Sequence, residues 1–142
     1  TNRSHLRATA DFVERFGCPV ACHEIERDTV EFEIAETFRS GEVLAGGLEV
    51  LHLPGKTRGE AGFRLDRGKG ILIVGDTVIG RPAGSLALLP EEKLDDPAGL
   101  RRTVEGMPEI AFEALLVGDG DSILHDAPAA LTALLASLAP AS

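Results

Sequence analysis

Apolar positions along this chain recur at two periods, and the two periods mark different elements. Leu6, Ala10 and Val13 fall at helical spacing with Phe12 and Phe16 beside them, and Gly17 supplies a stop, so a helix is predicted over 3–16. Val20 to Cys22 read as a short buried strand. The stretch EFEIAETFRSGEVLAGG alternates weakly and breaks at Ser40-Gly41, a hairpin-like turn, with Gly46-Gly47 as another turn. Leu48 to Leu53 then read as a strand with Leu48, Val50 and His52 on one face. Ala61–Leu65 and Gly70–Val74 form a hairpin around Asp66-Arg67-Gly68-Lys69. The run ILIV is continuous and apolar, as in a strand covered on both faces.

Beyond Arg81 the pattern loosens into a loop that reaches Pro90. A helix is predicted from Pro97, capped by Asp95 or Asp96 and ending at Gly106. Phe112 to Val117 read as a strand that runs into the turn Gly118-Asp119-Gly120-Asp121. A last helix starts near Asp126 with Pro128 in its first turn, and Leu131, Leu134, Leu135 and Leu138 form its apolar stripe. Helix, strands, hairpin, helix, strand, helix is an α+β order, sheet packed with helices, in one domain over 1–142.

Composition narrows the function classes. A hydrophobic share of 44% supports one real core, filled by Leu, Val, Ile and Ala because there are six Phe and neither Trp nor Tyr. With 14 basic and 23 acidic residues the net charge is −9. An acidic chain with few aromatics neither neutralises phosphate backbones nor stacks on bases, which argues against nucleic acid, and it is a poor match for an anionic membrane. No apolar run approaches the roughly 18 residues a membrane span needs. The start, TNRSHLR, shows no signal-peptide pattern and lacks an initiator Met. Cys18 and Cys22, four apart on a strand, would lie roughly 13 Å apart, too far to bridge. Core packing is expected for them rather than metal binding with His23, and a cytoplasmic location follows.

Two segments carry the chemistry: LHLPGKTRGE at 51–60 and ILIVGDTVIG at 71–80. Together with the opening TNRSHLRATADFVERFGCPVACHE and the strand LLVGDGDSIL, they resemble four signature segments of the metallo-β-lactamase superfamily, in the same order. The stretch GDTVIGRPAGSLALLPEEKL is also similar to members with a Pro-Gly loop after the GD motif. The resemblance implies an αββα sandwich. Members carry further strands before the first of these segments; either the protein lacks them or they lie outside these 142 residues. If it lacks them, a sheet is left uncovered and a homodimer is the natural repair.

The resemblance also implies where metal ligands would lie. The first loop's four ligand positions fall on Asn2, Ser4, Leu6 and Arg7, the PGH histidine on Lys56, the metal-bridging aspartate on Asp76 and the GHG histidine on Asp119. Only Asp76 keeps the family's residue. Leu6 has no donor, Arg7 is permanently cationic, and a protonated lysine has no lone pair and repels a metal. No cofactor is therefore expected. The expected function is a binding or structural module that has lost metal binding and hydrolysis, rather than an enzyme. Lys56 and Arg7 are expected to pair with Asp76 and Asp119 in place of metals and to hold an anionic small molecule. The alternative is a hydrolase of esters, thioesters or similar substrates with one divalent metal (Mn, Mg or Fe ahead of Zn) held by Asp76, Asp119 and His5 or His52. His52 is expected in the core or behind the site, His125 at the surface or as a cap. Thr77 and Ser85 have no base beside them to make a nucleophile.

Overall fold

A computed structural model describes residues 1–139. Its main sheet has five strands in the order β3 (Val43–Leu44), β4 (Leu48–His52), β5 (Ala61–Leu65), β6 (Ile71–Ile73), β7 (Ala114–Leu116). Neighbours are antiparallel up to β6, and β7 joins it in parallel. Parallel pairing needs a long crossover, and α2 (Pro97–Gly106) lies within it; α3 (Ala127–Leu138) follows β7. A separate parallel pair is made by β1 (Ala21–His23) and β2 (Glu36–Phe38), and α1 (Thr9–Phe16) precedes it. Gly46 and Gly47 both take positive φ (83° and 81°), the pair of left-handed residues that a tight β3–β4 turn requires.

The core lies on one face of the main sheet. Leu72, Val74 and Leu115 meet Leu100, Val104 and Met107 from α2 and its continuation, and Leu131 and Leu134 from α3. A smaller cluster on the other face joins Phe38 of β2 to Val50 and Ala61, with Phe63 packed at 5.7 Å from the Phe38 ring. Eleven buried Leu, Val and Met side chains, each worth about 1.5–3 kcal/mol, make the helix-covered face the one that holds the fold.

Local signals located most elements. Asp96 caps α2 by accepting the Gly99 N–H at 2.8 Å, and Gly17 ends α1 in the left-handed region with its N–H on Val13 O at 2.8 Å. Three expectations need correction. First, α1 begins at Thr9, not residue 3, because residues 1–7 form a turned segment in which Asn2 accepts the N–H groups of Ser4 and His5. Second, Leu72 and Val74 are buried but Ile71 and Ile73 only half so, since the sheet face they occupy lacks a helical layer. Third, Cys18 and Cys22 are half-buried free thiols outside both core clusters, because β1 pairs only with β2 and leaves Ala21 exposed. No described helix is long and apolar enough to cross a membrane.

Candidate functional site

Strands β4, β6 and β7 run in the same direction, so the loops that follow them emerge at one edge of the sheet. The N-terminal segment closes that edge: Thr1 O accepts the Ala61 N–H at 2.9 Å, extending the pairing at the start of β5. Glu26, 1% exposed, ties this segment to the loop after β4 by accepting Arg3 N–H (3.1 Å) and Gly59 N–H (2.8 Å). Arg3 in turn reaches Asp95 at 2.8 Å. The PGK loop is fastened to α2, with Thr103 Oγ1 donating to Pro54 O at 2.6 Å and Asp96 N–H to Gly55 O at 3.0 Å.

Asp76 sits where these pieces meet. Its Oδ2 lies 3.3 Å from His5 Nε2 and 3.3 Å from Asn2 Nδ2. The hydrogen bond from His5 holds its carboxyl below the ordinary range against the opposing effect of burial, with help from the His5 charge, Asn2 and Lys56. Behind it, Glu60 is fully buried and uses one oxygen twice, accepting Asp76 N–H at 2.7 Å and Asn2 Nδ2 at 3.0 Å. Its Oε2 has no partner, and burial pushes the carboxyl up. Gly75 must be glycine here, because a methyl group would run into Thr1 Oγ1 and Glu60 Oε1.

Five of the seven positions assigned from sequence (Ser4, Arg7, Lys56, Asp76 and Asp119) line one open cleft of about 340 Å³, together with His5 and Lys93. Asn2 lies behind it through its amide. Leu6 instead lines an adjoining cavity of about 140 Å³ with Val20, Phe38 and Phe63.

The partners differ from those expected. Lys56 Nζ donates to Lys93 O at 2.8 Å, and Asp119 pairs with Arg81 at 2.6 Å. It is His5, not Arg7 or Lys56, that bonds Asp76. The turn at Asn2 aims the short imidazole inward, whereas the long cationic chains keep their heads at the solvated mouth. Neither Arg7 nor Lys56 makes an ion pair among the described residues.

The alternative ligand set does not assemble either. Of Asp76, Asp119, His5 and His52, only His5 and Asp76 meet. His52 stacks on His23 at 4.7 Å and its Nε2 lies 2.8 Å from Arg58 O, behind the β4 loop. His23 Nδ1 accepts the Ile25 N–H, so the Cys18, Cys22 and His23 set is not assembled. Among the described residues no three His, Cys, Asp or Glu side chains converge as a metal would need. An amide, a hydroxyl, an alkyl chain, a guanidinium and an ammonium do not fit a dimetal centre. His125 is exposed, as expected. Sequence reasoning missed Glu60, Glu26 and Arg81; the signal for Glu60 was a carboxylate between two small residues, Gly59 and Ala61, at the head of a strand.

The family model described as the metallo-beta-lactamase superfamily matches residues 1–138. No curated protein sequence matches significantly. Among solved structures, the chain is similar to TTHA1623 in a di-iron-bound form (TM-score 0.66, 23% identity, 84% of this chain and 66% of that one). It is also similar to a metallo-beta-lactamase from Pontibacter korlensis (0.67, 20%, 89% and 60%). A third is the archaeal superfamily protein ST1585 from Sulfolobus tokodaii (0.65, 10%, 94% and 63%). At these identities the likeness concerns the fold, and the chain spans 60–66% of the length of those proteins.

Proposed function

The chain belongs to the metallo-beta-lactamase superfamily, and on that premise we propose that it is a binding module in which side chains stand where the metal pair would be. The observation that carries this reading is the set of contacts on Asp76. The aspartate aligned with the metal-bridging position is held by an amide and an imidazole, and its neighbours at the other ligand positions offer no convergent donors. Such a carboxylate is already compensated and does not call for a cation.

The cleft's charge supports a ligand class. With Asp119 taken by Arg81 and Asp76 by His5, the cationic heads of Arg7, Lys56 and Lys93 remain on its wall without an acidic partner among the described residues. Two or three cations around one concave surface focus a positive potential in an otherwise acidic protein. A small carboxylate or phosphate is the ligand that such a rim selects. The free thiols of Cys18 and Cys22 fit a cytoplasmic home.

The test is elemental analysis of the purified chain after incubation with Zn²⁺, Mn²⁺ and Fe²⁺ and desalting, followed by calorimetric titration with inorganic phosphate. Substoichiometric metal and saturable phosphate binding are expected. Stoichiometric metal that disappears in Asp76→Ala would overturn the reading in favour of a metal-dependent hydrolase.

A further inference from the structure

His5 touches two partners, one through each ring nitrogen. Nε2 lies 3.3 Å from Asp76 Oδ2, and Nδ1 lies 2.6 Å from Thr1 Oγ1. In the neutral tautomer that donates Nε2–H to the carboxylate, the Nδ1 lone pair faces the Thr1 hydroxyl. Hydroxyl, imidazole and carboxylate are then in line, an arrangement recognised by geometry and not by sequence order. The three come from different parts of the fold: Thr1 from the strand-like segment beside β5, His5 from the turn after it, and Asp76 from the loop after β6.

The hydroxyl is both fixed and reachable. Thr1 is pinned through its carbonyl to Ala61 N–H and by the close approach of Gly75, yet it is exposed to solvent. It lines the cavity of about 140 Å³ in which Val20, Ile34, Phe38 and Phe63 make one wall and polar groups, Asn2, His23 and Glu26 among them, make the other. His5 lines this cavity and the cationic cleft alike, so it stands at the junction of a chamber with one apolar wall and an open exit. A dry cavity near 150 Å³ holds a benzene-sized guest, so this one has room for an acyl group of about six carbons.

We infer that Thr1, His5 and Asp76 form a metal-independent acyl-transfer relay for carboxylic esters of short apolar acids, with the acyl group in the Phe38–Phe63 cavity and the leaving alcohol directed into the cleft. Thr1 Oγ bonds to the acyl carbon while its proton passes to His5 Nδ1. The ester C–O bond breaks, and the leaving oxygen takes that proton from His5. Water then attacks the acyl-threonine, passes a proton to His5, and frees the acid as Thr1 Oγ is reprotonated. The sum is ester plus water to acid plus alcohol. Thr1 and His5 are the catalytic residues; Asp76 is a positioning residue that sets the His5 tautomer. This goes beyond the anion-binding reading: it shares His5 and Asp76 with the cleft but places the acyl group in the other cavity.

The experiment is hydrolysis of 4-nitrophenyl butyrate and hexanoate by the whole chain in excess EDTA, with intact-mass and peptide mapping of the quenched protein. Nitrophenolate release and an acyl adduct on Thr1 are expected. Thr1→Val and His5→Gln, each shown to melt like the parent, should lower the rate by about a hundredfold or more. Asp76→Asn should lower kcat with KM retained, as expected when the tautomer is lost and the acyl cavity is not. Release no faster than in Thr1→Val, an adduct on Cys22 or any other residue, or activity abolished by EDTA would each overturn the inference. The metal analysis above tests the other reading separately, because an EDTA-resistant adduct on Thr1 does not depend on the phosphate titration.

Discussion

Glu60 accepts the backbone N–H of Asp76 at 2.7 Å while remaining completely shielded from water. A buried carboxyl that satisfies both a main-chain donor and the Asn2 amide is a fastener for the loop after β6. Glu60→Ala would strand both donors, at a cost of about 1–3 kcal/mol in chemical denaturation. Glu60→Gln keeps an acceptor in place and should cost much less at neutral pH. The two differ in pH dependence as well. Burial raises the Glu60 carboxyl above its ordinary value of 4.5, so the folded chain holds this proton more tightly than the unfolded one. Its contribution is therefore fully present below that value and is lost as pH rises through the raised folded value. Comparing the parent with Glu60→Gln across acid to neutral pH should show this decline only in the parent.

Asp76 has the opposite sign. Its carboxyl is held below the ordinary value of 3.8 by the His5 hydrogen bond, so it adds stability above that value and loses it as pH falls through the lowered folded one. Asp76→Asn should flatten stability between those two points. His5→Ala should let the Asp76 carboxyl rise, seen directly as an upward shift of its midpoint in a side-chain NMR titration. A midpoint unmoved by His5→Ala would mean that the imidazole is not its partner in solution.

What could be read from the chain was the part fixed by neighbours in sequence. The alternation of Leu48–His52 and Ala61–Leu65, the caps at Asp96 and Gly17, and the paired glycines at 46 and 47 act over a few residues, and each located an element. Five of the seven positions that the four motif segments assign line one cleft. Which charge meets which was not legible. Lys56 could reach Asp76, Asp119 or a carbonyl, and the choice of Lys93 O depends on where α2's preceding turn comes to rest. His5 was off the family's ligand pattern by one residue, and only the turn at Asn2 rotates it onto Asp76. Glu60 was missed because its burial and its partners, Asn2 and the Asp76 N–H, come from parts of the chain far from it in sequence.

Gly55 offers a stability test of the loop that carries Lys56. Its φ of 146° is outside the range that side chains adopt readily, and a methyl group there would collide with the backbone of Leu100 in α2. Gly55→Ala combines backbone strain with overpacking, each of order 1–3 kcal/mol. A loss of about 2–6 kcal/mol in denaturant unfolding experiments is expected from their sum. Because the same loop sets the height of Lys56 above the cleft, phosphate affinity should fall in the fraction that remains folded.

Lys56 and Asp119 should move anion binding in opposite directions. Removing the ammonium by Lys56→Ala takes away one of three cations on the cleft wall, and for a solvated charge the effect is modest, about two- to fivefold in Kd. Asp119→Asn removes a carboxylate from the same wall and releases Arg81, which it holds at 2.6 Å, to face the ligand. Phosphate should then bind more tightly by a similar factor, even though the mutation adds no cation of its own. Both effects should shrink as salt rises from low to physiological levels, because charges at an open mouth are screened within about 8–10 Å. The calorimetric series at two ionic strengths checks sign and salt dependence together. A cleft in which both variants bind phosphate as the parent does is not an anion site, whatever its cations suggest.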